Sequence, residues 1–350
     1  MKAIFTNEKG FTLLEILVVL TIMGFLIAMV APRLAGISGG AVDTVCDSNQ
    51  NRMVTYMSSF FEQTNRFPNK LTNIVITDGA TLGAATYQIP PVSDQDPDNG
   101  AEVLAAELND RNHFYIHILD ANEAKELKSM GIVRLFNLND YSGIDNAISE
   151  TTNDVLLTAV TAERPAMEPV TPEASVGVAM IGCGVADATG TGAWTGTSVE
   201  RNLGEPEHFG RIILGMGPEC GLITSGVISN AAHCPGGLQN ADNCTYNDYN
   251  LVLPRLAATA EKMTDTTNPL TAAFAAPGAL RCVQYDDEPG ASYDVTDGTG
   301  NVDNFKLRTF DITEAQETWQ FATQCPEGHA YPEDDGEFWG ADLDGDNAIL

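Results

Sequence analysis

The longest apolar run of the chain lies near its beginning. Residues 16–31, ILVVLTIMGFLIAMVA, are apolar apart from Thr21 and Gly24, and Phe11–Leu14 extend the run forward with Glu15 as its one charge. About 20 apolar residues suffice for a helix to cross a bilayer, so a transmembrane helix is predicted over 11–32. Lys2 and Lys9 precede the run. Basic flanks stay on the cytoplasmic side, which sends everything after Arg33 across the membrane. After Gly40 the spacing changes. Val42, Val45, Asn49, Met53, Tyr56, Met57, Phe60 and Phe61 recur at three- and four-residue intervals, while Asp43, Asp47, Arg52, Ser59, Glu62 and Gln63 take other faces. That is an amphipathic helix whose stripe packs on a globular domain. It stops at Arg66-Phe67-Pro68, so 33–67 is read as this second helical segment. Pro32 lacks an N–H, and Gly36, Gly39 and Gly40 follow it. The membrane helix therefore either ends there or continues through a kink.

Beyond Pro68 short strands mix with helices. Phe114–Leu119, Ile132–Leu138, Val176–Ile181, Arg211–Leu214, Leu280–Tyr285 and Lys306–Ile312 read as strands. Ala101–Leu108, Asn122–Met130 (with Gly131 as its C-cap), Leu251–Met263 and Glu314–Ala322 read as helices. The fold class is α+β: a long N-terminal helix followed by a large mixed head. Residues 161–174 contain Pro165, Pro169 and Pro172, which suits an extended linker. The linker divides a cysteine-free lobe, 68–160, from a cysteine-rich lobe, 175–350.

Met1 to Gly10 is short and polar, ends in Lys9-Gly10, and runs directly into Phe11-Thr-Leu-Leu-Glu15. This resembles the class III signal of type IV prepilins and type II secretion pseudopilins. The resemblance implies a leader, 1–10, cut by a prepilin peptidase between Gly10 and Phe11, with N-methylation of Phe11. Gly24 and Pro32 stand where the family's helix has a glycine and a proline that let it unwind. A carboxylate inside hydrocarbon is costly, and the family's account gives Glu15 a reason. It pairs with the α-amino group of Phe11 on a neighbouring subunit, neutralising two charges together and setting the register. A plain signal anchor whose Glu15 snorkels to the interface is the simpler alternative. Residues 53–71 also resemble the helix end of major pseudopilins. The implied function is a structural filament subunit, anchored in the inner membrane with its head in the periplasm or on the cell surface. Its partners would be the peptidase, an assembly platform with its ATPase, and other pilins or pseudopilins. A minor tip subunit binding a surface or secreted substrate is an alternative, although capping subunits of the family mostly lack the Glu. A membrane-tethered hydrolase is a third.

A formal charge of −30 speaks against nucleic acid as a partner, because phosphate binding needs clustered Lys and Arg. It fits a solvated acidic surface or, where carboxylates concentrate in loops, divalent cations. Asp342, Asp344 and Asp346 alternate with turn residues and could curl oxygen ligands around Ca²⁺, the cofactor expected here. Asn347 replaces the usual Gly of such loops. Major pseudopilins carry calcium near their C-terminus, and the alternative is an acidic, frayed tail. Asp94, Asp96 and Asp98 repeat the alternation around Pro97.

Of seven cysteines, Cys183, Cys220, Cys234, Cys244, Cys282 and Cys325 lie after position 180. An even set fits disulfides in an oxidising compartment, leaving Cys46 as the thiol. Asn230-Ala-Ala-His233-Cys234 looks like the sequence around the catalytic His of trypsin-like proteases. No Gly-Asp-Ser-Gly-Gly follows it, so no triad is assembled and no catalytic residue is assigned. His113, His117, His208 and His329 show no metal-ligand clustering along the chain.

Overall fold

The computed structural model describes residues 17, 21, 44–77, 87–90, 104, 108, 113–139, 168–182, 206–228, 246, 248–264, 279–285, 293–294, 299–300, 306–331, 338–342 and 348–349. The chain divides into two compact units, Met1–Val45 and Cys46–Leu350. In the first, Leu17 and Thr21 are helical. The Thr21 hydroxyl donates to the Leu17 carbonyl at 3.1 Å, one turn back along the helix.

Residues 44–64 are helical (α1). The buried stripe is Cys46, Gln50, Met53 and Met57, whereas Val45 and Tyr56, expected on that stripe, are 46% and 38% exposed. The face is turned because a polar side chain belongs to it. Oriented by its hydrogen-bond partners, the Gln50 amide donates to the carbonyls of Thr323 (3.1 Å) and His329 (3.3 Å). Counting apolar residues alone misses a buried Gln that finds carbonyls.

The main sheet is built on β1 (Leu71–Thr77), which continues from the turn after Pro68. Short β2 (Tyr87–Gln88) pairs antiparallel with its end. The chain then makes β3 (Tyr115–Ile118), the helix α2 (Ala121–Ser129) and β4 (Leu135–Asn139), which lies parallel to β1. β5 (Glu168–Val170) pairs with β4, and β6 (Gly177–Met180) returns to β3 in a separate two-stranded sheet. β7 (Ile213–Gly215) flanks β1 on its other side. A short helix α3 (Gly221–Thr224) and β8 (Asn250–Val252) follow. After α4 (Ala257–Lys262) come β9 (Ala279–Tyr285), β10 (Tyr293–Asp294), β11 (Thr299–Gly300) and β12 (Lys306–Asp311). The last strands are β13 (Ala322–Gln324), β14 (Ala330–Tyr331), β15 (Phe338–Asp342) and β16 (Ala348–Ile349). The sheet orders are β14-β13-β8-β7-β1-β4-β5, with smaller sheets β12-β9-β15 and β11-β10-β16.

At its centre the main sheet is buried on both faces, since Ile213–Gly215 and Asn250–Val252 are buried throughout. Ile212, Leu214, Leu251 and Leu253 join Met53 and Met57 of α1 in one core. Their neighbours Ile213 and Val252 point the other way, into a second core with Ile74, Leu138 and Tyr246. Thus α1 covers one face of the sheet.

Several expectations change. Val170 of β5 is buried, and β1, β4 and β5 share a sheet with β7, β8, β13 and β14. The proline-rich segment therefore supplies an edge strand, and the two expected lobes are joined by one sheet. A helix over Leu251–Met263 shrinks to Ala257–Lys262, because residues 250–252 pair between β7 and β13 and Pro254 blocks a helix there. Glu314–Ala322 is a string of turns ending in β13, tied down where the Arg255 guanidinium donates to the Glu314 carbonyl at 3.2 Å. Of Ala101–Leu108 only Leu104 and Leu108 are described. Gly131 does take a left-handed φ of +101° at the end of α2. An added Cβ there would also approach Arg66 Cβ to 2.8 Å, so only glycine suits the position.

Candidate functional site

The processing and assembly residues Gly10, Phe11, Glu15, Gly24 and Pro32 lie outside the described residues. Leu17 and Thr21, within the same apolar run, are helical, and Leu17 is 57% exposed. Among the described residues no helix is long and apolar enough to cross a membrane.

At the other end, Asp342 closes β15 opposite Arg281 in register, and Ala348–Ile349 form β16 against β10. Asp344 and Asp346 lie outside the described residues, in the short connection between these two strands. Asp94, Asp96 and Asp98 also fall outside, as do Cys183, His233, Cys234 and Cys244.

Cys46, Cys220, Cys282 and Cys325 are buried thiols. Of the expected disulfide set, Cys220, Cys282 and Cys325 are among the described residues and Cys183, Cys234 and Cys244 are not. With Cys46, the three belong to one apolar core, where a cysteine packs as a small hydrophobe. Burial pushes the Cys220 thiol up to about 12, with the charge of Asp248 adding to it, and lifts Cys282 well above the usual range. The Cys46 sulfur accepts from the Tyr249 hydroxyl at 3.6 Å.

Cys325 has different company. Its Sγ lies 3.3 Å from His329 Nδ1, and Glu327 Oε2 lies 3.9 Å from the same nitrogen. The histidine reading from the chain is thereby corrected for His329. The signal was present as Cys-x-Glu-x-His within five residues, 325–329. A disulfide reading of Cys325 masks it.

Two buried charged nodes hold the head together. Asp120 and Glu123 form a capping box at the start of α2, a motif legible in sequence. Glu123, fully buried, also faces His117 Nε2 at 2.8 Å and accepts from the Thr259 hydroxyl at 2.7 Å. Lys262 Nζ lies 2.7 Å from both Asp120 and Glu123. Burial by itself would raise the Glu123 carboxyl. The hydrogen bond and charge of His117, with Lys262, outweigh it and hold the group low, at about 2.

The second node is built on backbone carbonyls, with the charges of Asp311 and Glu207 acting on Arg255. Arg211 donates to the carbonyls of Val252, Leu253 and Gln320 at 2.6–3.0 Å. Arg255 donates to those of Glu207, Phe209, Asp311 and Glu314. Burial lowers Arg211 to about 9 and Arg255 to about 10, so both stay charged at neutral pH. Burial, reinforced by these two charges, holds His208 well below its ordinary value and therefore neutral. Both nodes bind protein groups throughout, which marks them as structural.

No curated protein and no solved structure matches the chain. Residues 5–31 match the model of the prokaryotic N-terminal methylation motif. That span covers Gly10, Phe11, Glu15 and Gly24 and ends just before Pro32. The chain thus carries a prokaryotic N-terminal methylation motif, consistent with the class III signal of type IV pilins and pseudopilins.

Proposed function

We propose that this protein is a structural subunit of a filament of the type IV pilus or type II secretion kind. A prepilin peptidase cuts between Gly10 and Phe11, Phe11 is N-methylated, and Glu15 docks each subunit onto the amino group of its neighbour. The observation that carries this reading is the motif match over residues 5–31. The amphipathic α1 is consistent with it, since a pilin-like head needs such a helix against its sheet. The large head, residues 68–350, favours a second reading as a minor subunit that displays a binding domain. Abundance in sheared filaments separates the two, because a major subunit dominates that fraction.

Intact-mass measurement in hosts with and without a prepilin peptidase tests the processing step. The mature chain should begin at methylated Phe11 only when the peptidase is present. A terminus at Met1 in both hosts, or a cut after residue 31, refutes it. We further propose Ca²⁺ at the Asp342, Asp344 and Asp346 loop. Calcium should raise the melting temperature of the wild-type chain and not that of a variant with Asp344→Ala and Asp346→Ala.

A further inference from the structure

The turn between β13 and β14 brings a sulfur, a nitrogen and a carboxylate oxygen together at the edge of the main sheet. β13 and β14 pair in register through Thr323–Tyr331 and Gln324–Ala330. The next rung is Cys325 with His329, whose carbonyl accepts from the Cys325 amide at 3.0 Å. Gly328, at φ +92°, turns the chain back between them, a conformation that glycine adopts without strain. The ligand atoms of Cys325, Glu327 and His329 all lie within 4.8 Å of one another.

We propose that Cys325, Glu327 and His329 form a binding site for a borderline-soft divalent cation of the Zn²⁺ class, with water completing a tetrahedron. Zinc sits about 2.3 Å from a thiolate and about 2.0 Å from an imidazole nitrogen, so tetrahedral ligands lie roughly 3.5 Å apart. The observed Sγ to Nδ1 separation is 3.3 Å. Glu327 Oε2 lies 3.9 Å from Nδ1 and within 4.8 Å of the sulfur, so binding the ion would draw this carboxylate inward. The backbone N–H of His329 also points at the Cys325 sulfur at 3.3 Å, a donor that favours the thiolate a metal requires.

Access and anchoring are both provided. The side chains of Glu327 and His329 are 25% and 29% exposed, while Cys325 is fully buried. An ion can therefore enter from solvent and bind against the fixed sulfur. Gln50 of α1 donates to the His329 carbonyl at 3.3 Å, and Asn250 reaches the Cys325 carbonyl at 3.4 Å. The hairpin end is thus held by α1 and β8 before any metal arrives. Sulfur and imidazole ligands select against Ca²⁺ and Mg²⁺, which distinguishes this site from the acidic loops.

The test is cobalt titration of the full chain, purified in detergent under reducing conditions, stripped with chelator, and kept in excess Ca²⁺ to occupy surface carboxylates. The expected result is one Co²⁺ per chain with a thiolate-to-cobalt charge-transfer band in the near ultraviolet, displaced by Zn²⁺. Cys325→Ser should abolish the band. Glu327→Gln, on the exposed turn, should weaken binding by ~10–100-fold while the fold is retained by circular dichroism. If Cys325→Ser does not fold, Glu327→Gln and His329→Gln decide the matter. Absence of the band in the wild type, or its survival in Cys325→Ser, would overturn the proposal. So would unchanged cobalt affinity in both turn variants.

Discussion

The N-terminal segment and the head are specified in opposite ways. In the first, a polar leader, Gly10, Phe11, Glu15 and an apolar run all fall within about thirty consecutive residues, and a family model recognises them as a linear pattern. In the head, the decisive contacts join residues far apart. Thr259 meets Glu123 across 136 positions, Ala258 meets Glu126 across 132, and Arg211 reaches Gln320 across 109. On the proposed function, a peptidase and a neighbouring subunit read the first region as a string. The second has meaning only once folded. Changes in one region should therefore leave the other's readout untouched, and each prediction that follows probes that separation.

The largest effect belongs to Glu15→Ala. Filaments should be absent from sheared fractions, while intact mass still begins at Phe11 and the chain remains in the membrane. Removing a charge from hydrocarbon eases insertion, by up to ~3 kcal/mol on insertion scales. Normal filament yield would remove Glu15 from the docking step.

Next is Arg255→Met, which strips donors from the carbonyls of Glu207, Phe209, Asp311 and Glu314. Unsatisfied buried groups of this kind cost about 3 kcal/mol together. Chemical denaturation of the full chain in detergent reads the loss. Arg255→Lys should recover less than half, since one ammonium cannot spread over carbonyls on several segments. Processing at Gly10 should be normal in both.

Glu123→Gln should cost about 2 kcal/mol at neutral pH by weakening the contacts to His117 and Lys262. Folding lowers this carboxyl from 4.5 to about 2. Its ionised form therefore stabilises the head fully above pH 4.5, and that contribution is lost as pH falls through 2. The gap between wild type and variant should narrow over that window. A constant gap down to pH 2 would mean that packing, and not charge, sets the value of the residue.

The smallest effect is Glu126→Ala. Leu256 provides no side-chain cap for α4. The Glu126 carboxylate instead accepts from the amides of Ala257 and Ala258 at 2.9 and 3.0 Å, a cap borrowed from α2. Its loss should cost about 1 kcal/mol, read as a small drop in melting temperature with filament assembly intact.

The sequence alone determined whatever is written within one or two helical turns or one continuous run. The methylation motif and the glycine stop at Gly131 are of this kind, because each of their partners is a near neighbour along the chain. Six of the strands were legible too, from apolar runs with β-branched residues. Only the tertiary structure decided the rest. A buried Gln50 turned the stripe of α1, since its carbonyl partners sit on Thr323 and His329. Residues 250–252 became a strand although their neighbourhood is helix-like, because β7 and β13 offered pairing on both sides. Cys325 faces a histidine because the register of the β13–β14 hairpin sets it across from His329. In each case a hydrogen bond or a sheet register outweighed local preference, and neither can be counted along the chain before the distant segment is in place.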